Sequence, residues 1–141
     1  MSFAERIVID TGVWISAALM PSSLPAQAVA LAWARYEICA SGATLDELQR
    51  VLARDKFDKY LPLAAREAFF EGVQQRVLKV EVHSTVTDCS DPKDKPFLAL
   101  ALDAGASLLL ASDPHLSSLH PWRGIPILNP AAFVAALATK R

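Results

Sequence analysis

Short apolar runs bounded by turn residues alternate along this chain with longer stretches of helical period, and that alternation restricts the possible folds more than any other feature. The runs are Arg6 to Asp10 (RIVID), Glu37 to Ala40 (EICA), Val80 to His83 (VEVH), Ser107 to Ala111 (SLLLA) and Ile125 to Leu128 (IPIL), giving five candidate strands. Helices are predicted over Val13 to Leu19, Pro25 to Tyr36, Ala43 to Ala53, Leu63 to Leu78, Lys95 to Ala104 and Asn129-Pro130 to Thr139. Their ends have chemical reasons: Pro25 suits a first helical turn, Asp94 an N-cap and Gly105 a C-terminal stop. Lys140 and Arg141 follow the last helix, where cations favour the negative end of its dipole. Some of the strands are apolar on both faces, so the expected architecture is α/β, with a mainly parallel sheet covered by helices on both sides.

At 141 residues the chain is long enough for one good core and too short for two, so a single domain spanning residues 1–141 is expected. Hydrophobic residues make up 52% and charged residues 21%, which excludes a disordered chain. A net charge of -1 excludes a protein that holds nucleic acid by overall charge, so any such contact must be local. Cys39 and Cys89 are too few for a disulfide framework and lack metal-type spacing, which reads as buried thiols in a reducing compartment. The start, MSFAERIVID, has no basic and then apolar leader, and Pro21, Ser22, Ser23, Pro25 and Gln27 break the uncharged stretch from Thr11 to Ala34. A soluble, cytoplasmic protein with no membrane partner is expected.

Two of the apolar runs end in acids. RIVI stops at Asp10, and SLLLA stops, after Ser112, at Asp113. Beyond the carboxyl ends of parallel strands is where such folds bind ligands. Buried carboxylates sharing one edge repel each other and are poorly solvated, so they suggest a cation site, although each Asp can also cap the helix that follows. Glu47 lies on a helix whose buried stripe is Leu45, Leu48 and Leu52, and its neighbour Asp46 is turned about 100° away, so only one of the pair can face a given site. The segment from Asp91 to Leu98 (DPKDKPFL) opens another helix, where an Asp can cap backbone and turn its second oxygen toward a metal. All-carboxylate sets prefer Mg²⁺ or Mn²⁺ to zinc, and such ions activate water and stabilise charge on a phosphoryl group. Phosphodiester hydrolysis is the natural reaction class.

Taken in order, VIDTGVWISAAL, SGATLDELQRVL, DPKDKPFLALALDAGA and LLLASDPHL resemble the PIN-domain family of metal-dependent ribonucleases, and most of all its VapC-like bacterial toxin branch. The resemblance runs from Arg6 to about Pro130. It implies a three-layer α/β/α sandwich and carries the family's acidic quartet onto Asp10, Glu47, Asp94 and Asp113. Asp94 is the third acid because it stands seven residues before Ala101 in the Ala-Leu-x-x-Gly turn, and Asp91 is an outer-shell or alternative ligand. Also implied is a small hydroxyl at the site, for which Thr11, Ser41 and Ser112 are candidates. The implied activity is that of an Mg²⁺- or Mn²⁺-dependent endoribonuclease leaving a 5′-phosphate and a 3′-hydroxyl. Asp10, Asp94 and Asp113 would hold the metal, with Glu47 as a further ligand or as the base orienting water. Implied partners are a single-stranded or structured RNA, a small antitoxin protein and a second copy in a homodimer.

One departure stands out: many family members have Asp-Thr-Asn at the first motif, and this chain has Asp10-Thr11-Gly12. That leaves open an alternative, a catalytically degenerate RNA- or protein-binding module on the same fold. A receiver or Asp-x-Asp phosphatase domain is disfavoured, because Gly12 stands where the second acid would be and no lysine ends a buried strand. Eight of the fourteen basic residues (Arg35, Arg50, Arg54, Lys56, Lys59, Arg66, Arg76 and Lys79) lie in the middle third. Arg50 and Arg54 are the candidate phosphate contacts, with Lys56, Lys59, Phe57 and Tyr60 near them, although a solvated helical face reads the same way. Trp14, Trp33 and Trp122 read as packing residues, and His83, His115 and His120 lack metal-ligand spacing, with His115 close enough to Asp113 to line its cleft. Adjacent Phe69 and Phe70 cannot both face one core, which leaves one for a partner surface.

Overall fold

A computed structural model of the chain describes residues 4–139, so the expected pairing of Lys140 and Arg141 with the last helix dipole lies outside the described residues. Five strands, β1 (Arg6–Ile9), β2 (Glu37–Ala40), β3 (Leu78–Lys79), β4 (Leu108–Leu110) and β5 (Ile127–Leu128), form one sheet in the order β3-β2-β1-β4-β5. Every pairing is parallel, with Ile7 opposite Ile38 on one side and Leu108 on the other. The helices are α1 (Thr11–Leu19), α2 (Leu24–Arg35), α3 (Gly42–Leu52), α4 (Leu63–Arg76), α5 (Lys95–Ala104), α6 (Pro114–Ser117) and α7 (Pro130–Ala138), with a 3-10 turn at Asp55–Phe57.

Strand alternation divides the core in two. Ile7, Ile9, Ile38, Ala40, Leu108 and Leu110 face one side, packing against α1, α2, α3, α4 and α7. Val8, Cys39, Leu109 and Ala111 face the other, against α5, Leu116 of α6 and the buried Val86, Cys89 and Trp122. This is the three-layer α/β/α sandwich the sequence implied. Side-chain caps set several helix starts: Ser23 accepts from Ala26 N at 3.3 Å, Ser41 and Thr44 form a reciprocal capping box, and Asn129 accepts from Ala132 N at 2.8 Å. Gly105 closes α5 at φ +63°, a conformation that glycine adopts without strain.

Three expectations need correction. The third strand lies at Leu78–Lys79, not Val80–His83, and α4 ends at Arg76 to make room for it. Val80 N still donates to Ala40 O at 2.8 Å, but farther along the N–H groups of His83 and Ser84 turn to the Asp103 carboxylate at 2.6 and 2.9 Å. Those donors are therefore lost to a strand. Phe69 and Phe70 do share one core: Phe69, partly buried, packs edge-on against Trp14 at 6.3 Å, and Phe70 is buried in the same apolar cluster. Arg66, counted among the basic residues of the middle third, is fully buried and joins three turns. It donates to the carbonyls of Leu61 (2.9 Å), Leu52 (2.5 Å) and Arg54 (3.2 Å) and pairs with Asp58.

Candidate active site

The sheet order changes direction between β1 and β4: β2 and β3 are laid down on one side of β1, and the chain then crosses to the other. Loops leaving β1 and β4 diverge there, opening a crevice at the carboxyl ends of the strands. A cleft of about 170 Å³ occupies it, lined by Asp10, Thr11, Gly12, Glu47, Lys93, Asp94, Phe97, Ser112, Asp113 and Leu116.

Asp10 caps a helix, as its position suggested, and also ties two strands together. One carboxylate oxygen caps α1 by accepting from Val13 N at 2.9 Å; the other accepts from Ser112 N at 3.1 Å and Asp113 N at 3.4 Å, tying the end of β1 to the end of β4. It is 4% exposed, and burial pushes its carboxyl up to about 6, against the pull of those backbone N–H groups, with the charge of Asp113 adding to the rise.

Asp94 occupies the N-cap position of α5 without capping it. The side chain of an N-cap accepts from the second or third helical N–H, but Pro96 has none and the Phe97 N–H is bonded to the Asp94 carbonyl at 3.1 Å. The carboxylate thus accepts no helix N–H, although Asp94 is buried. Burial raises its carboxyl to about 6, followed by a hydrogen bond with Asp113 and the charges of Asp113 and Asp91, while His115 acts in the opposite sense. Asp113 is half-buried and caps α6 through His115 N at 3.0 Å; Asp91 accepts from Lys93 N at 2.9 Å. One oxygen from each of Asp91, Asp94 and Asp113 lies within 4.8 Å of the other two.

Glu47 reaches the cleft from α3 and accepts a hydrogen bond from the Thr11 hydroxyl, whereas Asp46 points to solvent. Ser41 is buried under its capping box and lies outside the lining of the cleft; its effect is on the start of the helix that carries Glu47. Arg50 and Arg54 line an adjoining groove of about 520 Å³ together with Lys56, Phe57 and Lys93. Thr11, Gly12, Glu47, Lys93 and Ser112 border both spaces. Elsewhere in the middle third, the Arg76 guanidinium stacks 4.0 Å from the Trp33 ring centroid and Lys59 sits over Tyr60.

Lys93 is the charged lining residue that the sequence reading did not single out. Its signal was a cation flanked by two acids of the D-P-K-D segment, a pattern that reads equally well as surface charge. Among the described residues the ion pairs are Arg6–Glu37, Arg66–Asp58 and Arg123–Asp88, and none of them reaches the cleft. A crowded set of hard oxygen donors, one of them buried and uncapped, with no paired cation, fits a divalent metal of the Mg²⁺ or Mn²⁺ class. Such an ion would be held by Asp94 and Asp113, with Asp91 or Asp10 in reach of its surroundings.

Fold and cleft together define the class: an α/β/α domain with an acidic site at the switch point of a parallel sheet. A family model described as PIN domain matches residues 6–115, and the chain belongs to this nuclease-like family. Among solved structures it is similar to PAE2754 from Pyrobaculum aerophilum (TM-score 0.66, 15% identity, covering 99% of this chain and 100% of that one). It is also similar to VapBC2 from Rickettsia felis, solved bound to a DNA fragment from their promoter (TM-score 0.62, 11% identity, 88% and 98% covered). A third similar structure is VapC20 from Mycobacterium tuberculosis, described as a sarcin-ricin loop cleaving toxin (TM-score 0.54, 16% identity, 81% and 95% covered). Comparison with curated protein sequences gives no significant match. No single helix among the described residues is long and apolar enough to cross a membrane.

Proposed function

We propose that this chain is a divalent-metal-dependent endoribonuclease and the toxin component of a bacterial toxin–antitoxin pair, acting in the cytoplasm. The observation that carries the catalytic part is Asp94: a buried carboxylate with neither cap nor cation, facing Asp113 and Asp91. A domain stabilised only by packing would be better off without it.

In this reading Asp94, Asp113 and Asp10 provide the metal site, with Asp91 as a supporting ligand. A bound Mg²⁺ or Mn²⁺ would supply an activated water and offset the charge that develops on the phosphate. Glu47, steadied by the Thr11 hydroxyl, orients the attacking water and takes its proton. Arg50 and Arg54 hold RNA phosphates in the adjoining groove, where Phe57 offers a face for a base, and Thr11 and Ser112 offer hydroxyls at its border with the cleft. In-line attack leaves a 5′-phosphate and a 3′-hydroxyl. The likeness to VapBC structures supports a small antitoxin as partner; a homodimeric assembly belongs to the same proposal.

The test is cleavage of a mixed cellular RNA pool by purified protein with Mg²⁺ or Mn²⁺, beside a chelator control and an identically purified Asp10→Asn variant. Cutting by the wild type alone supports the proposal. Equal inactivity of all three favours the second reading, a degenerate binding module, for which Gly12 in place of the family's Asn is the motive. Suppression of cutting by the co-expressed product of a small upstream reading frame tests the antitoxin.

A further inference from the structure

Gly12 has no backbone reason to be glycine. It is the second residue of α1, and the glycines with positive φ among the described residues are Gly105 and Gly124. In a helix, glycine is less stable than alanine, so its presence there asks for another cause. The surroundings supply one. A Cβ built on Gly12 would lie 2.7 Å from the Ser112 Oγ and 3.7 Å from the Asp10 carboxylate. The first distance is too short for any real contact, so a side chain at position 12 and the present place of the Ser112 hydroxyl exclude each other.

The Ser112 hydroxyl is well placed. The backbone N–H of Ser112 donates to Asp10 at 3.1 Å, which fixes the residue, while its hydroxyl has no protein partner among the described residues. Ser112 borders both the acidic cleft and the basic groove, as do Thr11, Glu47 and Lys93. A phosphodiester passing from the groove of Arg50 and Arg54 to the acids must cross this border.

We infer that Gly12 is a functional part of the site: its missing side chain leaves the Ser112 hydroxyl standing at the junction, where it donates to a non-bridging phosphate oxygen of the strand and positions it over the acids. The inference rests on the ribonuclease reading and deepens it, because it explains the departure at position 12 as a change of donor, hydroxyl for amide. Ser112 and Gly12 then act as one unit. Gly12→Ala displaces the hydroxyl by rotating a short side chain, and Ser112→Ala removes it, so the two changes should have the same effect and the double variant no more than either alone.

The experiment uses wild type, Gly12→Ala, Ser112→Ala and the double variant, each checked by thermal melting. Steady-state cleavage of a mixed-sequence single-stranded RNA is measured with Mg²⁺. Binding of a fluorescent probe, an all-phosphodiester RNA of the same length kept uncut by chelator, is followed by fluorescence anisotropy. Loss of one hydrogen bond to a charged oxygen predicts a rise in KM and in the probe's Kd of about 10-fold for each single variant, with kcat within about threefold. The double variant is expected to stay near 10-fold, with no variant melting below wild type. Single variants indistinguishable from wild type, or a double variant near the product of about 100-fold, would overturn the inference while leaving the ribonuclease reading intact. If wild type cuts no RNA, the ribonuclease reading fails and the probe decides: the same non-additive pattern in Kd upholds the Gly12–Ser112 unit, and failure of wild type to bind the probe removes it as well.

Discussion

Arg66 and Asp94 are both buried charges, and they are treated in opposite ways. Arg66 is 0% exposed and has an acceptor on every side: three main-chain carbonyls where α3, the 3-10 turn and α4 are joined, and the Asp58 carboxylate. Asp94 is 4% exposed, lacks even the cap hydrogen bond its position offers, and faces further carboxylates. A satisfied buried charge is structural, because removing it strands its partners. One crowded by other carboxylates raises the free energy of the fold and persists where something outside the chain offsets their charge. Within one small domain, the contrast separates what holds the protein together from what it works with.

The largest effect that would sharpen this contrast is on activity. Asp94→Asn keeps the shape but removes the charge, so RNA cleavage should fall by about a thousandfold or more, as losing several kcal/mol of metal-assisted stabilisation requires. The metal-free variant should unfold at the same urea concentration as wild type or higher. A variant that loses stability along with activity would break the comparison. Next comes Arg66→Met, expected to cost about 3 kcal/mol in urea denaturation by leaving the Leu52 and Leu61 carbonyls without a donor. Any activity it retains should track the folded fraction.

Mg²⁺ or Mn²⁺ at a hundred times its dissociation constant should stabilise wild type by about 2.7 kcal/mol, seen as a raised melting temperature, and should do little for Asp94→Asn. In the absence of metal, pH should act through the same acids. Asp10 and Asp94 hold their protons up to about 6, against an ordinary value of 3.8. The folded state therefore binds these two protons more tightly than the unfolded one, and the contribution of the two acids to stability should be greatest below about pH 4 and decline as pH rises through 6. Denaturation of chelator-treated protein across that window measures it, and the slope should flatten in Asp10→Asn. The smallest effect is expected at Arg50→Ala: folding unchanged, RNA binding weakened, and the salt dependence of binding reduced by about 0.7 in log–log slope for one lost single-strand phosphate contact.

Much of the fold was legible because it is written in local pattern. The runs RIVI and SLLLA became the central strand and one of its two neighbours, and the stripe of Leu45, Leu48 and Leu52 turned Glu47 inward and Asp46 out. Less legible were features whose cause lies far away in the chain. VEVH alternates like a strand, but Asp103 claims its neighbouring N–H groups from α5. Arg66 resembles every other arginine on a helix until three carbonyls close around it. The short α6 and the 3-10 turn are single-turn elements without enough residues to show a period.

The sequence alone determined the class of fold and the edge of the sheet on which the acids stand, since strand period, helix period and the residue after each apolar run are local properties. Only the tertiary structure decided that Asp94 is buried beside Asp113, that Asp91 joins them, and that Gly12 lies against Ser112, 100 positions away in sequence. Those outcomes depend on packing β1 beside β4 and α5 against the sheet, and distances across such contacts are set by the whole core at once.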